Sequence, residues 1–144
     1  VAGRRVSAKG TLVLDSAGLS EVAAGAKEAR AHLEAARRRG ARVVTSAVTL
    51  TEVLRGGARD ASVHRVLARI EVVPISPEMG RESGELLGRT GLSGHRCAID
   101  SVVAVTALRQ PRPVVLLTSD PNDLETLVEE PERPRGERVV IVRV

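Results

Sequence analysis

The chain contains no phenylalanine, tyrosine or tryptophan. Without aromatic rings it lacks the platforms on which recognition domains stack single-stranded bases, which disfavours readers of the RRM or OB type. Its one cysteine, Cys97, excludes an internal disulfide and cannot alone make a thiolate zinc site. A lone thiol of this kind is most often a small core residue. No apolar run approaches the roughly 18 residues needed to span a membrane. The opening VAGRRVSAKG has no apolar segment behind its arginines to act as a secretory signal. The expectation is a cytoplasmic protein with no membrane partner. Lysine is scarce: Lys9 and Lys27 are the only two among 22 basic residues. Arginine forks suit phosphate, although a genome biased toward arginine codons would give the same excess.

What is present has a globular balance, with 42% hydrophobic and 28% charged residues over 144 positions, enough to bury a core. TLVLDS (11–16) is an apolar run closed by polar residues, the pattern of a strand buried on both faces. A segment rich in Ala, Glu and Arg (19–39) carries Leu19, Val22, Ala23, Ala26, Leu33 and Ala36 as one helical stripe. Gly40 ends it, and Arg37, Arg38 and Arg39 in its last turn complement the helix dipole. ARVVTS (41–46) reads as a second strand, followed by a short helix through TLTEVLRGG and another over 62–69. EVVPIS (71–76) reads as a third strand whose proline marks an edge or a late break. A helix over 77–89, the loop TGLSGHR and the largely apolar helix AIDSVVAVTALR (98–109) come next. PVVLLTS and ERVVIVRV supply the last strands, separated by a helix starting at Pro121 and the turn-rich PERPRGE. Five strands alternating with helices predict an α/β fold with a mainly parallel sheet. Residues 11–144 are expected to form one domain behind a basic lead, 1–10, that need not be ordered.

In this class chemistry gathers at the carboxyl ends of the strands, and four of the five aspartates fall there. Asp15 closes the first strand, Asp120 closes the fourth, Asp123 follows in the next helical turn, and Asp100 opens the apolar helix. Asp60, between helices, reads as solvated or capping. Local structure offers each acid a reason of its own. Asp120 before Pro121 suits an N-cap, Asp123 suits a first turn, Asp15 and Asp100 could each cap a helix, and TLTE (49–52) matches a capping box. Capping does not account for Asp100, because Val103, Ala104 and Ala107 share its face. They draw the carboxylate inward, where an unpaired charge is strongly disfavoured or loses its ionisation. Glu52 is similar, sharing its short helix with Val48, Val53 and Leu54.

Two carboxylates about 4 Å apart repel by roughly 4 kcal/mol at an effective dielectric near 20. Several together therefore need a positive partner, and no lysine is near them. A divalent cation supplies one, and Mg2+ or Mn2+ fits hard oxygen donors better than zinc does. His32, His64 and His95 lie in different segments without metal-ligand spacing. The first two read as solvated, and His95 could approach the site through its loop.

Four blocks carry a resemblance: LVLDSAGL with Asp15, VTLTEVLRGG with Glu52, AIDSVVAVTAL with Asp100, and LLTSDPNDL with Asp120. In that order they resemble the PIN domain, and specifically the stand-alone toxin ribonucleases of VapC type, from about residue 11 to the end. The resemblance implies a three-layer fold, a five-stranded sheet flanked by helices. It also implies that Asp15, Glu52, Asp100 and Asp120 are catalytic acids gathered around one or two Mg2+ or Mn2+ ions. Asp123 is an auxiliary ligand through water, Thr118 matches a hydroxyl often found beside the last acid, and Ser16 is the small polar residue after the first. By resemblance the substrate is RNA, hydrolysed at a phosphodiester to leave a 5′-phosphate. The implied partners are a cognate antitoxin, whose C-terminal segment occupies the acidic groove, and a second copy of the chain in a homodimer. The family's frequent aromatics are missing and the first ten residues are extra; neither touches a candidate acid.

Charge agrees with a polyanionic substrate. Outside the five candidate acids the chain carries 22 basic against 13 acidic residues, a net of +9, which suits a basic body around an acidic pocket. Arg55 and Arg96, each near a candidate acid, are the expected phosphate contacts. Other classes lack their signatures. An aspartyl-phosphate phosphatase needs an acid two residues after Asp15, where Ala17 stands, and neither the nucleotide-binding glycine motifs nor the G-x-S-x-G of serine hydrolases occurs. Two rivals use the same fold: a catalytically inactive RNA-binding or interaction module, and a DNA-directed nuclease with the same acids.

Overall fold

The structure, a computed structural model, describes residues 9–144. All of the basic lead except Lys9 and Gly10 therefore lies outside the described residues. The elements run β1 (Thr11–Leu14), α1 (Ser16–Ala24), α2 (Lys27–Arg38), β2 (Arg42–Ser46), α3 (Leu50–Val53), α4 (Ala61–Leu67), β3 (Glu71–Val73), α5 (Pro77–Thr90), α6 (Gly94–Leu108), β4 (Val114–Thr118), α7 (Asn122–Leu127) and β5 (Val140–Arg143). Short 3-10 turns stand at Ala47–Thr49, Ala58–Asp60 and Arg135–Glu137.

The five strands form one sheet in the order β3-β2-β1-β4-β5, and every pairing is parallel. Parallel neighbours need crossovers, and the helices that make them cover both faces, giving three layers. β1 lies in the middle and is buried along its whole length. Its side chains alternate between two cores. Leu12 and Leu14 pack with Leu19, Leu33 and Val63 beneath α1, α2 and α4, while Val13 packs with Met79, Leu86, Val103 and Leu124 beneath α5, α6 and α7. Each fully buried leucine contributes about 2 kcal/mol. β3 is an edge strand that stops before Pro74, as the missing N–H of proline requires. Among the described residues no helix is long and apolar enough to cross a membrane.

Three sequence expectations need correction. The long helix over 19–39 is two helices, divided at Gly25, which adopts φ +79° and accepts the left-handed turn that ends α1. The helix carrying Asp100 does not begin at residue 98. Ser93 caps α6 by accepting the Arg96 N–H, so the last three residues of the expected loop, Gly94 to Arg96, are its first turn and Asp100 stands well inside it. The TLTE capping box is absent: Thr49 makes no side-chain capping bond and its Oγ1 is buried without a partner. Ser46 instead accepts the Val48 N–H at 3.3 Å and starts the turn.

Candidate active site

Three of the four principal acids follow the carboxyl ends of β1, β2 and β4, and the fourth projects from α6. Asp15 follows β1 in extended backbone and caps α1, its Oδ1 accepting the Gly18 N–H at 2.8 Å. Only 8% of it is exposed. Burial raises its pKa, opposed by hydrogen bonds from Gly18, the Thr118 hydroxyl and Ala17; the charge of Glu52 raises it further. The cap and the acidic cluster thus share one carboxylate. Gly18 makes this fit possible. A Cβ there would lie 2.8 Å from the Leu117 carbonyl oxygen, so only glycine lets the first turn of α1 press against β4.

Thr118 ends β4 and is buried. Besides reaching Asp15, its Oγ1 accepts the Asp120 N–H at 3.1 Å, linking the two strand ends. Asp120 is exposed. Its Oδ1 accepts the Asn122 N–H at 3.4 Å, a long and weak capping contact, because α7 starts at Asn122 rather than Pro121. Ser16 is the first residue of α1 and is half-buried.

Asp100 is the focus of the cluster. It is half-buried, and its pKa is pushed up to about 6, first by desolvation and then by the charges of Asp15, Glu52, Asp123 and Asp120. All five acids therefore share one electrostatic neighbourhood. Glu52 is exposed on α3. Asp123, half-buried in the first turn of α7, receives Arg96 Nη2 at 3.9 Å and the Cys97 thiol, whose Sγ is 3.5 Å from Oδ2. Cys97 is buried, as expected.

The arginines divide. Arg96 stands beside the cluster, but Arg55 does not present a free guanidinium. It donates to the carbonyls of Leu54 at 2.8 Å, Thr51 at 2.9 Å and Glu52 at 3.2 Å, closing the end of α3. Its guanidinium is engaged with backbone oxygens, although the residue is exposed. Asp60 is not solvated: it is 6% exposed and accepts backbone N–H groups of the preceding loop. His95 lies in the first turn of α6 and is exposed.

The donor set is all oxygen, which suits a hard divalent ion. Among the described residues no group of three or more His, Cys, Asp or Glu side chains is placed so that it could hold a metal ion. Sequence reasoning missed Gly18 and the thiol contact to Asp123. Only the contact of α1 with β4 gives Gly18 its reason, and a spacing of 26 residues gives no local signal for the second.

A parallel sheet with β1 central and acids at its carboxyl edge defines a class, and the comparisons agree on which. The model of the PIN domain family matches residues 12–126; the chain belongs to the PIN domain family. Among solved structures it is similar to VapBC2 from Rickettsia felis bound to a DNA fragment from their promoter, with TM-score 0.61 and 17% identity over 92% of this chain and 98% of that one. It is also similar to a toxin-antitoxin complex from Klebsiella pneumoniae, with TM-score 0.59 and 23% identity over 78% of this chain and 88% of that one. At these identities the likeness is one of fold. No curated protein matches the chain.

Proposed function

We propose that the protein is a divalent-metal-dependent endoribonuclease and the toxin of a toxin-antitoxin pair. The observation that carries the nuclease reading is the match to the PIN domain family over residues 12–126, with Asp15 and Asp120 just beyond the carboxyl ends of the paired strands β1 and β4 and the charges of both, with those of Glu52 and Asp123, acting on Asp100. The only ion pair within this group, among the described residues, is the Arg96–Asp123 contact at 3.9 Å. A stability role would not collect like charges around a desolvated carboxylate.

Asp15, Glu52, Asp100 and Asp120 would hold Mg2+ or Mn2+, with Asp123 assisting through water. When bound, such an ion makes water a better nucleophile near neutral pH and offsets negative charge on the phosphate undergoing attack. The chain's own groups prepare the place. Gly18 N–H and the Thr118 hydroxyl fix Asp15, Thr118 fixes the backbone of Asp120, and Arg96 offers a guanidinium to the substrate backbone. With a pKa of about 6, Asp100 is mostly ionised at pH 7.5 and ready to hold a cation. The net of +9 outside the acids favours a polyanion.

The partner reading rests on the toxin-antitoxin complexes among the similar folds and on one cavity. A groove of about 410 Å3 lies between α1, α2 and α4, with Leu33 and Val66 among its apolar lining and Arg30, Arg37, Arg65 and Arg69 around it. Glu34 is its one acid, 4.0 Å from Arg37. An apolar floor with a basic rim suits an antitoxin segment that has an apolar face and acidic flanks.

The test is cleavage of total cellular RNA with Mg2+ or Mn2+, with EDTA, and with Asp15→Asn or Asp100→Asn. Cleavage is expected only with metal and unsubstituted acids, while circular dichroism stays unchanged. Undiminished cleavage in EDTA, or in both variants, would overturn the reading.

A further inference from the structure

Asp60 is the one aspartate outside the acidic cluster, yet it is 6% exposed. Burying a carboxylate without a cation is strongly unfavourable unless hydrogen bonds compensate. Here the compensation is local: Asp60 Oδ2 accepts the Arg55 N–H at 2.9 Å and the Gly56 N–H at 2.7 Å. Those two amides lie immediately beyond α3, the helix that carries Glu52.

α3 spans four residues and has no side-chain N-cap. A helix of one turn does not hold itself together. The backbone beyond it is looser still, for Gly56 adopts φ +86° and a Cβ on either Gly56 or Gly57 would meet no neighbour within 4 Å. The fastening comes from two side chains. Arg55 reaches back to the carbonyls of Thr51, Glu52 and Leu54, and Asp60 reaches back to the amides of Arg55 and Gly56. Asp60 thus holds the residue that holds the helix.

We propose that Arg55 and Asp60 are positioning residues for Glu52, a relay of backbone hydrogen bonds that aims its carboxylate at the other acids. The inference rests on the reading of Glu52 as a metal-binding acid. Arg55 acts through backbone carbonyls and Asp60 through backbone amides. Both act on the orientation and freedom of α3.

The sign of one substitution separates positioning from electrostatics. Removing the positive charge of Arg55 would, by Coulomb's law alone, strengthen binding of a cation nearby. Positioning requires the opposite. Isothermal titration with Mn2+ should give a loss of about tenfold for Glu52→Gln and a similar loss for Arg55→Gln and Asp60→Asn, the scale found when groups that orient metal ligands are removed. Arg59→Gln, a nearby exposed arginine, serves as the charge control and should not weaken binding. In the Glu52→Gln background, Arg55→Gln and Asp60→Asn should each add less than about twofold, because the side chain they orient is gone. Arg55 is exposed, so its variant folds even where Asp60→Asn does not. Unchanged or tighter Mn2+ binding in Arg55→Gln, with weakened binding in Glu52→Gln, would overturn the positioning role alone. Unchanged binding in Glu52→Gln would overturn the metal-binding reading of Glu52 and the inference with it.

Discussion

Burial and then the neighbouring acids both oppose the ionisation of Asp100. Its pKa in the folded chain, about 6, lies above the ordinary aspartate value of 3.8. Between those values the folded state holds the proton more tightly than the unfolded state does, so stability falls as pH rises through this window and is flat above it. Full burial would make this roughly 3 kcal/mol; with the partial exposure of Asp100 it is on the order of 1–2 kcal/mol. Asp100→Asn should therefore raise the melting temperature at pH 7.5 without divalent ions, by about 3–8 °C on the usual scale for domains near this size. A structural cap would do the reverse, and a lowered melting temperature would show that Asp100 supports the fold. Added Mg2+ should stabilise the unsubstituted protein and leave the variant nearly unchanged. The inward pull on Asp100 was legible from Val103, Ala104 and Ala107. Its place within the helix was not, because the glycines of TGLSGHR look like a loop until Ser93 is seen capping α6.

At the scale of elements, the approach of α1 to β4 sets the spacing between Asp15 and Thr118. Gly18→Ala would put a Cβ 2.8 Å from a carbonyl oxygen of a central strand, which cannot yield as a side-chain tip can. A destabilisation of about 1–3 kcal/mol is expected, measured as a lower urea midpoint, together with reduced cleavage because both acid-bearing strand ends shift. Unchanged values would mean that α1 slides freely on β4. Strands were the readable elements: apolar runs marked all five, most plainly β1 and β4, whose burial leaves little ambiguity, while the edge strands β3 and β5 are partly exposed. The break at Gly25 was hidden, since a single glycine costs only about 1 kcal/mol in a helix and the surrounding Ala, Glu and Arg favour continuation. The backbone partners of Arg55 and Asp60 were hidden for a related reason. A fork with five donors or a carboxylate in a loop has many local partners, and which one it takes depends on the turn of the backbone.

At the scale of the whole molecule, the candidate acids lie at the carboxyl edge with Arg96 beside them, while Arg30, Arg37, Arg65 and Arg69 stand around the groove of α1, α2 and α4. Reversing two groove charges, Arg30→Glu with Arg65→Glu, should weaken the co-purified partner complex at least about 100-fold and reduce its salt dependence. Cleavage of naked RNA should be unaffected. Equal loss of cleavage and partner binding would indicate that the arginines hold RNA instead.

The order β3-β2-β1-β4-β5 has a consequence for when the protein can act. Asp15 comes before the other acids in the chain, but the strand that leads to Asp120 is β4, and Glu52 and Asp100 belong to segments made between the two. The edge of the sheet has no complete acidic cluster until β4 has paired with β1, which requires synthesis through Asp120 at least. If the proposed nuclease function holds, a chain cut off before Asp120 should be inactive, because the cluster is assembled only by the pairing of β4 with β1.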